Sequence, residues 1–445
     1  MTGDVPTNAQ GGIPRSQWRV IILSSLGGAL EFYDFVIYSM FAKYIGAAFF
    51  PASDSLTSLM LSFTVFAVGY VARPVGGVVF SHFGDKYGRR PVFIVAILTM
   101  SLATVCIGLL PTYAQWGLAA PVLMVLLRLL QGFSLGGELP GAITYVVETA
   151  PKKAGFAAGF IFFCVNSGVA LASLLSLVVH ETLAPEEVAS WGWRIGFLFG
   201  GFAGLVSFWL RLSLEETSEF KSMKNVAAKK PLVELLKTHP ANVAVGIAAL
   251  TATAGFNGLL FAMPAFLPAV MSYSPIEAIK AQNVGLLVLS LGMLFTAWLG
   301  DRIPRRLILG AGALLLVLLA VPFFNAAEQK SVDLVLLFVL AGLVASLVNG
   351  TMAGVVADLF PTRIRFSGVA VSFNLAFSIF SGPAALAAAA LVRIIDSPTG
   401  PAWYMCGCAA ITFIGSLFLH RYDGRIVGDR EAEPILARPS ASPVH

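Results

Sequence analysis

GDKYGRRP (residues 84–91) and GDRIPRR (residues 300–306) are two versions of one short polar stretch, 216 positions apart. Each follows a long apolar run, and each joins Gly-Asp to a pair of arginines. A second pair falls at corresponding places: VVETAPKKAG (146–155) and ADLFPTRIR (357–365) each follow the next-but-one apolar run. Matching motifs after matching segments are the signature of a chain built from two related halves.

Outward from these stretches the chain is overwhelmingly apolar. Of its 445 residues 57% are hydrophobic and only 12% charged, with a mean hydropathy of +0.82. Soluble domains carry about twice that charged fraction. Runs near the ~20 residues needed to cross a bilayer recur at 19–44, 56–83, 91–110, 118–140, 154–179, 192–213, 240–270, 282–299, 307–324, 334–357, 366–391 and 402–420. They are rich in Leu, Ala, Phe and Gly and lack two-residue alternation, so helices rather than a barrel are expected. The expected fold is an all-α membrane protein of twelve transmembrane helices in two six-helix halves. The N-terminal bundle is placed at 1–213 and a polar linker at 214–239. The C-terminal bundle follows at 240–422, and a tail at 423–445.

Most of the 29 Lys and Arg residues fall in the termini and in every second loop, while the 180–192 loop is acidic. The positive-inside rule then puts both termini and both arginine motifs in the cytoplasm, which an even number of spans allows. The net charge of +5 is therefore read as topology, and no nucleic-acid partner is expected. Residues 1–17 have no apolar core of a signal peptide. All four cysteines lie in apolar segments, so neither a disulfide framework nor a zinc site is indicated. There is no HExxH, no Ser–His pairing and no ATP-binding loop. A membrane-embedded enzyme is thus disfavoured, as is a channel, which would show charge rings rather than divergent halves.

Charges inside the apolar runs are the functional signal. Arg73 precedes GDKYGRRP by about twelve residues, or roughly 18 Å of helix, near the middle of a ~30 Å hydrocarbon core. Asp34, Glu31 and Arg128 sit at comparable depth. Such charges cost several kcal/mol unless paired or wetted, and by default they mark a polar pathway. Glu31 and Asp34, three apart, share a helix face. Two carboxylates in a low-dielectric site resist double ionisation, which suits a proton-coupling pair. Arg73 and Arg128 offer planar donor forks for a carboxylate, with Asp34 as a stand-in anion when substrate is absent. Tyr38, Asn166, Asn257 and Asn374 are further candidate substrate contacts. Asn374 opens a stretch with Ser378, Ser381, Gly382 and Pro383 that reads as a broken helix.

The arginine motifs read as a cytoplasmic gate. Asp85 and Asp301 are placed to accept the free amides of a neighbouring helix's N-terminus. Arg89 and Arg90 in one half, and Arg305 and Arg306 in the other, can reach carboxylates on the next loop, Glu148 and Asp358. Glu138, Arg302 and Arg365 complete the gate set.

GDKYGRRP and its counterpart resemble the conserved loop of the major facilitator superfamily. LEFYDFVIY (30–38), AAFFP (47–51), VARPVGG (71–77), RLLQGFSLGGE (128–138), WGWRIGF (191–197), SLEET (213–217) and LFPTRIR (359–365) together resemble its metabolite:proton symporter branch. The chain departs from that pattern at Ser81 and Ala297 where Gly is usual, and at Pro304, Ala154 and Gly196. The resemblance implies a bacterial inner-membrane secondary transporter working by alternating access. It implies proton-coupled uptake of a small organic acid such as citrate, a dicarboxylate or shikimate, with proline or betaine uptake, or metabolite export, as the alternative. No cofactor beyond the coupling proton is expected, and the partners are a small-molecule substrate and the lipid bilayer, with the protein acting as a monomer.

Overall fold

The computed structural model describes residues 15–51, 55–87, 89–149, 153–211, 231–361 and 364–421. Their regular structure is helical, and twelve long helices account for most of it. In chain order these are α1 (Arg15–Met40), α2 (Ser55–Tyr87), α3 (Arg89–Leu109), α4 (Ala119–Thr149), α5 (Ala154–Thr182) and α6 (Trp193–Arg211). They continue as α7 (Pro240–Val270), α8 (Pro275–Gly300), α9 (Arg305–Glu328), α10 (Leu334–Asp358), α11 (Arg365–Ile395) and α12 (Gly400–Phe418). Among the described residues, nine helices are long and apolar enough to cross a membrane. The helix ends obey local chemistry. Proline occupies the first turn of α7, α8 and α12, where its missing N–H costs nothing. Ser274 and Asp333 cap α8 and α10 by accepting the amides of Glu277 and Leu336, both at 3.1 Å.

Packing repeats with a period of six helices. α1 packs on α5, α2 on α4 and α3 on α6; then α7 packs on α11, α8 on α10 and α9 on α12. The two sets meet along a seam where α5 lies against α8, and α11 lies against α2 and α4. The α2–α4 contact is backbone to backbone. A Cβ on Gly76 would collide with the Phe133 carbonyl, and one on Gly136 with the Arg73 carbonyl. This approach places residues 73 and 128 within one half while leaving Val71 and Val75 exposed on the opposite face of α2.

Three departures from the expected spans have local causes. The first span breaks at Phe41 and resumes as a short helix, Ala42–Phe49, with Gly46 pressed on the Ser58 carbonyl. α2 runs through GDKY to Tyr87, so the first arginine motif extends a helix rather than forming a free hairpin. α11 is interrupted by a π-helical turn at Phe377–Ser381 before Gly382-Pro383, as the Ser/Gly/Pro composition anticipates. At the head of α6, Arg194 lies over the Trp193 ring and donates to the carbonyls of Gly108 and Leu110, at 2.9 and 2.7 Å. It thereby tethers the carbonyl end of α3.

Candidate functional site

Among the described residues two guanidinium groups are fully buried, at 0% exposure each. Arg73, on α2, projects to the seam. Its guanidinium carbon lies 5.2 Å from the ring centre of Tyr70, 5.7 Å from Phe373 and 5.5 Å from Phe377. Its Nε, Nη1 and Nη2 have no hydrogen-bond partner, and Glu31 is its nearby carboxylate. The rings come from both halves, because Phe373 and Phe377 stand one turn apart on α11. Aromatic faces attract a cation by ~0.5–2 kcal/mol, which offsets part of the desolvation cost without using any N–H donor. The donors therefore remain available to a bound anion.

Arg128, on α4, lies deeper in the first half, over Tyr38 at 4.4 Å, Phe35 at 4.5 Å and Phe66 at 5.1 Å. One nitrogen is engaged: Nη1 donates to Gln131 Oε1 at 2.8 Å and reaches the Phe35 carbonyl at 3.4 Å. Nε and Nη2 are unpartnered. Gln131 Nε2 in turn donates to Thr104 Oγ1 at 2.8 Å, and the Thr104 hydroxyl donates to the Met100 carbonyl at 2.9 Å. Asp34 is buried between α1, α3 and α6, where Gly200 is the residue whose missing side chain makes room for it. The adjacent Tyr33 donates to the Gly196 carbonyl at 2.8 Å. Asp34 thus faces α3 and α6, beside Gly200, Gly204 and Ser101, rather than the seam. It does not serve as a direct stand-in anion for either arginine among the described ion pairs. The reason is rotational: three residues along α1 from Glu31, it points to a different neighbour.

The remaining expected substrate contacts are largely engaged in holding helices. Tyr38 accepts from Ser62 at 3.3 Å. Asn374 donates across the seam to the Gly136 carbonyl at 2.8 Å, leaving its Oδ1 without a partner. Asn166 donates to Met293 Sδ at 3.2 Å, also across the seam. Asn257 is half-buried on α7. In the broken part of α11, Ser378 donates to the Tyr70 carbonyl and Ser381 to the Tyr70 hydroxyl. The seam around Arg73 is therefore held by small polar groups.

Down the α5–α8 face the cross-seam contacts form a ladder. At one end, Asp301 accepts the backbone N–H groups of Gly155 and Phe156, both at 3.0 Å. Lys153 provides no side-chain cap of its own, so α5 is capped by the other half of the molecule. Arg305 bridges Asp301 and Asp358, keeping that carboxylate in place. Next come Asn166–Met293 and Ser173–Gln282, the latter at 3.5 Å. At the far end, exposed Glu181 and Lys280 pair at 3.0 Å.

Two expected gate residues make contacts with groups of their own half. Arg302, just past the end of α8, stacks 3.6 Å over Trp298 in its last turn, and Arg365 donates to the carbonyls of Ala357 and Phe360. The side chains of Asp85, Arg89, Arg90, Glu138 and Glu148 lie outside the described residues.

Sequence reading misses Thr104, Gln282 and the ring cluster of Tyr70, Phe373 and Phe377. Tyr70 is detectable as the residue three before Arg73 on the same face. Phe373 and Phe377 carry no signal that links them to position 73.

Among the described residues no cluster of His, Cys, Asp and Glu could hold a metal. A cavity of about 310 Å³ among α7, α8, α9 and α10 is lined by apolar side chains such as Phe256, Met263 and Phe338. It offers nothing to orient a polar solute.

Comparisons with known proteins agree with this layout. The family described as Major Facilitator Superfamily matches residues 24–376. A putative proline/betaine transporter of Staphylococcus aureus (strain COL) is 34% identical over 417 residues, 90% of this chain and 88% of that protein. A glycine betaine/proline/ectoine/pipecolic acid transporter of Dickeya dadantii is 32% identical over 422 residues, 90% of this chain and 83% of that protein. Among solved structures, a proton:xylose symporter superposes with a TM-score of 0.73 at 16% identity, covering 91% of this chain and 95% of that one. At that identity the likeness speaks for the fold alone.

Proposed function

This chain belongs to the major facilitator superfamily, and from that premise we propose that it is a proton-coupled importer of a small zwitterionic solute of the proline or betaine type. It is a multi-pass secondary transporter, not an enzyme. Sequence alone puts an organic acid first and a zwitterion second. The relatives carry names for proline, betaine, ectoine and pipecolic acid, and these favour the zwitterion.

The observation that carries the reading is the setting of Arg73. Three buried, unpartnered guanidinium nitrogens face the seam, ringed by Tyr70, Phe373 and Phe377, with Glu31 close by. A zwitterion needs an anion receptor beside a cation receptor. The guanidinium supplies the first. Aromatic faces and a carboxylate supply the second, since rings that hold one delocalised cation also suit a quaternary ammonium. A dicarboxylate would bring surplus negative charge beside Glu31.

In this scheme Asp34 is the coupling carboxyl, and protonating it favours substrate at the arginines; linkage makes the effect mutual. Each proton falling through ~100 mV contributes ~2.3 kcal/mol, enough for roughly fortyfold accumulation. The functional halves are 1–213 and 240–422, joined by 214–239, with termini and the Asp301 end in the cytoplasm by the positive-inside rule. The Asp301–Gly155 contact then serves as the cytoplasmic latch that opens as the halves rock.

Uptake of radiolabelled proline, glycine betaine, citrate and shikimate into proteoliposomes, with and without an uncoupler, tests the proposal. Uptake of proline or betaine that collapses with uncoupler is expected. Citrate or shikimate uptake in their place would overturn the substrate class, and indifference to uncoupler would overturn the coupling.

A further inference from the structure

α2 carries a carbonyl that its own sequence leaves without a helical donor. In an α-helix the Tyr70 carbonyl takes the N–H of the residue four places on. That residue is Pro74, inside the helix, and proline has no N–H. The other half of the molecule supplies the donor. Ser378 Oγ, in the π-helical turn of α11, donates to the Tyr70 carbonyl at 2.5 Å, and Ser381 Oγ donates to the hydroxyl of the same tyrosine at 3.2 Å. Gly382 permits the approach, since a Cβ there would lie 2.7 Å from the Tyr70 Cβ. Tyr70 is thus gripped by α11 at both ends, backbone and phenol.

The grip matters because of where the ring sits. Its centre lies 5.2 Å from the Arg73 guanidinium carbon, and it meets the rings of Phe35 and Phe66 edge on, at 4.8 and 5.4 Å. Phe35 and Phe66 belong to the same half as Tyr70. The two serines do not, and they leave with α11 whenever that helix parts from α2. The carbonyl then has no donor from its own helix, and the phenol loses its tether.

We propose that Ser378 and Ser381 are positioning residues for the cationic end of the solute: they set the Tyr70 ring beside Arg73, and Pro74 is what makes Tyr70 depend on them. The inference rests on the reading of Tyr70, Phe373 and Phe377 as the cation receptor. α11 then serves that receptor twice, directly through the Phe373 and Phe377 rings and at second hand through Tyr70. The receptor is complete only while the two halves meet at this point. The consequence differs between solutes. A quaternary ammonium has no N–H and is held by ring faces and charge alone, whereas the ammonium of proline also donates hydrogen bonds to a carboxylate. A loosened Tyr70 therefore weakens glycine betaine more than proline.

Equilibrium binding of glycine betaine and of proline to the purified full-length protein, arranged as two double-mutant cycles, tests this. Ser378→Ala is expected to weaken glycine betaine by about three- to tenfold and proline by less. Ser378→Thr, which keeps the hydroxyl, is expected to bind as wild type does. In Pro74→Ala the Tyr70 carbonyl regains a donor in its own helix, so adding Ser378→Ala to it costs nothing further. Ser381→Ala and Tyr70→Phe should have the same effect singly and together, since each removes one side of one hydrogen bond. Tyr70→Phe keeps the ring and its shape, so this second cycle decides the matter if a Ser378 variant does not fold. Penalties that add in either cycle, or equal losses of the two solutes, overturn the inference and leave the substrate reading standing. So does a Ser378→Thr protein of wild-type melting temperature that binds like Ser378→Ala. A wild-type protein that binds neither solute overturns the substrate reading and the inference together.

Discussion

Asp301, at the end of α8, accepts the backbone N–H of Gly155 in the first turn of α5 at 3.0 Å, so one half of the molecule caps a helix of the other. The same carboxylate takes the Phe156 N–H and is held by Arg305, itself paired to Asp358. The far end of the same helix pair is joined by Glu181–Lys280, roughly half exposed on both sides. The two ends of the seam are thus fastened unequally, one by several directed bonds to a charged group and the other by a single solvated pair.

Asp301→Ala should loosen its end of the seam. Hydrogen bonds to a charged group contribute about 1.5–3 kcal/mol each, and this change removes two of them together with a partner of Arg305. Spin labels on the nearby ends of α5 and α8 should report a longer, broader distance distribution. An unchanged distribution would show that the cap is not what holds this end.

Lys280→Ala should do far less. An exposed ion pair contributes about 0–1 kcal/mol and is screened by salt. The melting temperature and the label distances at the Glu181 end should stay near wild type in high salt. A shift as large as that of Asp301→Ala would mean the two ends are equivalent after all.

Arg73→Lys should weaken binding of proline or betaine by about tenfold or more, the equivalent of ~1.4 kcal/mol. An ammonium keeps the charge but loses the planar fork and the stacking on Tyr70, Phe373 and Phe377. Equilibrium binding to the purified transporter measures this; wild-type affinity in the variant removes Arg73 from the substrate site.

Asp34→Asn should abolish proton-driven accumulation while sparing counterflow exchange in proteoliposomes. Asparagine keeps the volume beside Gly200 but cannot exchange a proton. Accumulation at wild-type levels refutes the coupling assignment, and loss of both activities marks Asp34 as structural.

Gly76→Ala should destabilise the first half by about 1–3 kcal/mol, the usual cost of overpacking. The new methyl would fall on the Phe133 carbonyl, a backbone atom that cannot step aside. Thermal unfolding in detergent reads the loss; a variant as stable as wild type would mean α2 and α4 separate freely.

Much of the architecture was legible along the chain because bilayer crossing is a one-dimensional requirement. The span expected at 240–270 is the helix Pro240–Val270, since a proline start and an unbroken apolar run mark it without help from neighbours. The break in α11 was visible as Ser, Gly and Pro in one turn. Helix ends set by packing were less so: GDKY reads as a turn, yet α2 carries it to Tyr87. Among polar residues, burial of Glu31, Asp34, Arg73 and Arg128 followed from depth alone. Their partners did not, because a helix turns about 100° per residue and neighbours are chosen by rotation, not by order.

Hydropathy and motif spacing, being properties of the chain, are enough to give an all-helical, internally repeated membrane protein with a few charges too deep to be decorative. Three-dimensional packing is what brings Arg73 to rings of α11 some 300 residues away, turns Asp34 toward Gly200 and Gly204 instead of the seam, and sets Asp301 on α5 of the other half. Each of these depends on which faces of separate helices are brought together, and close approach at glycines such as Gly76 and Gly136 sets that in three dimensions.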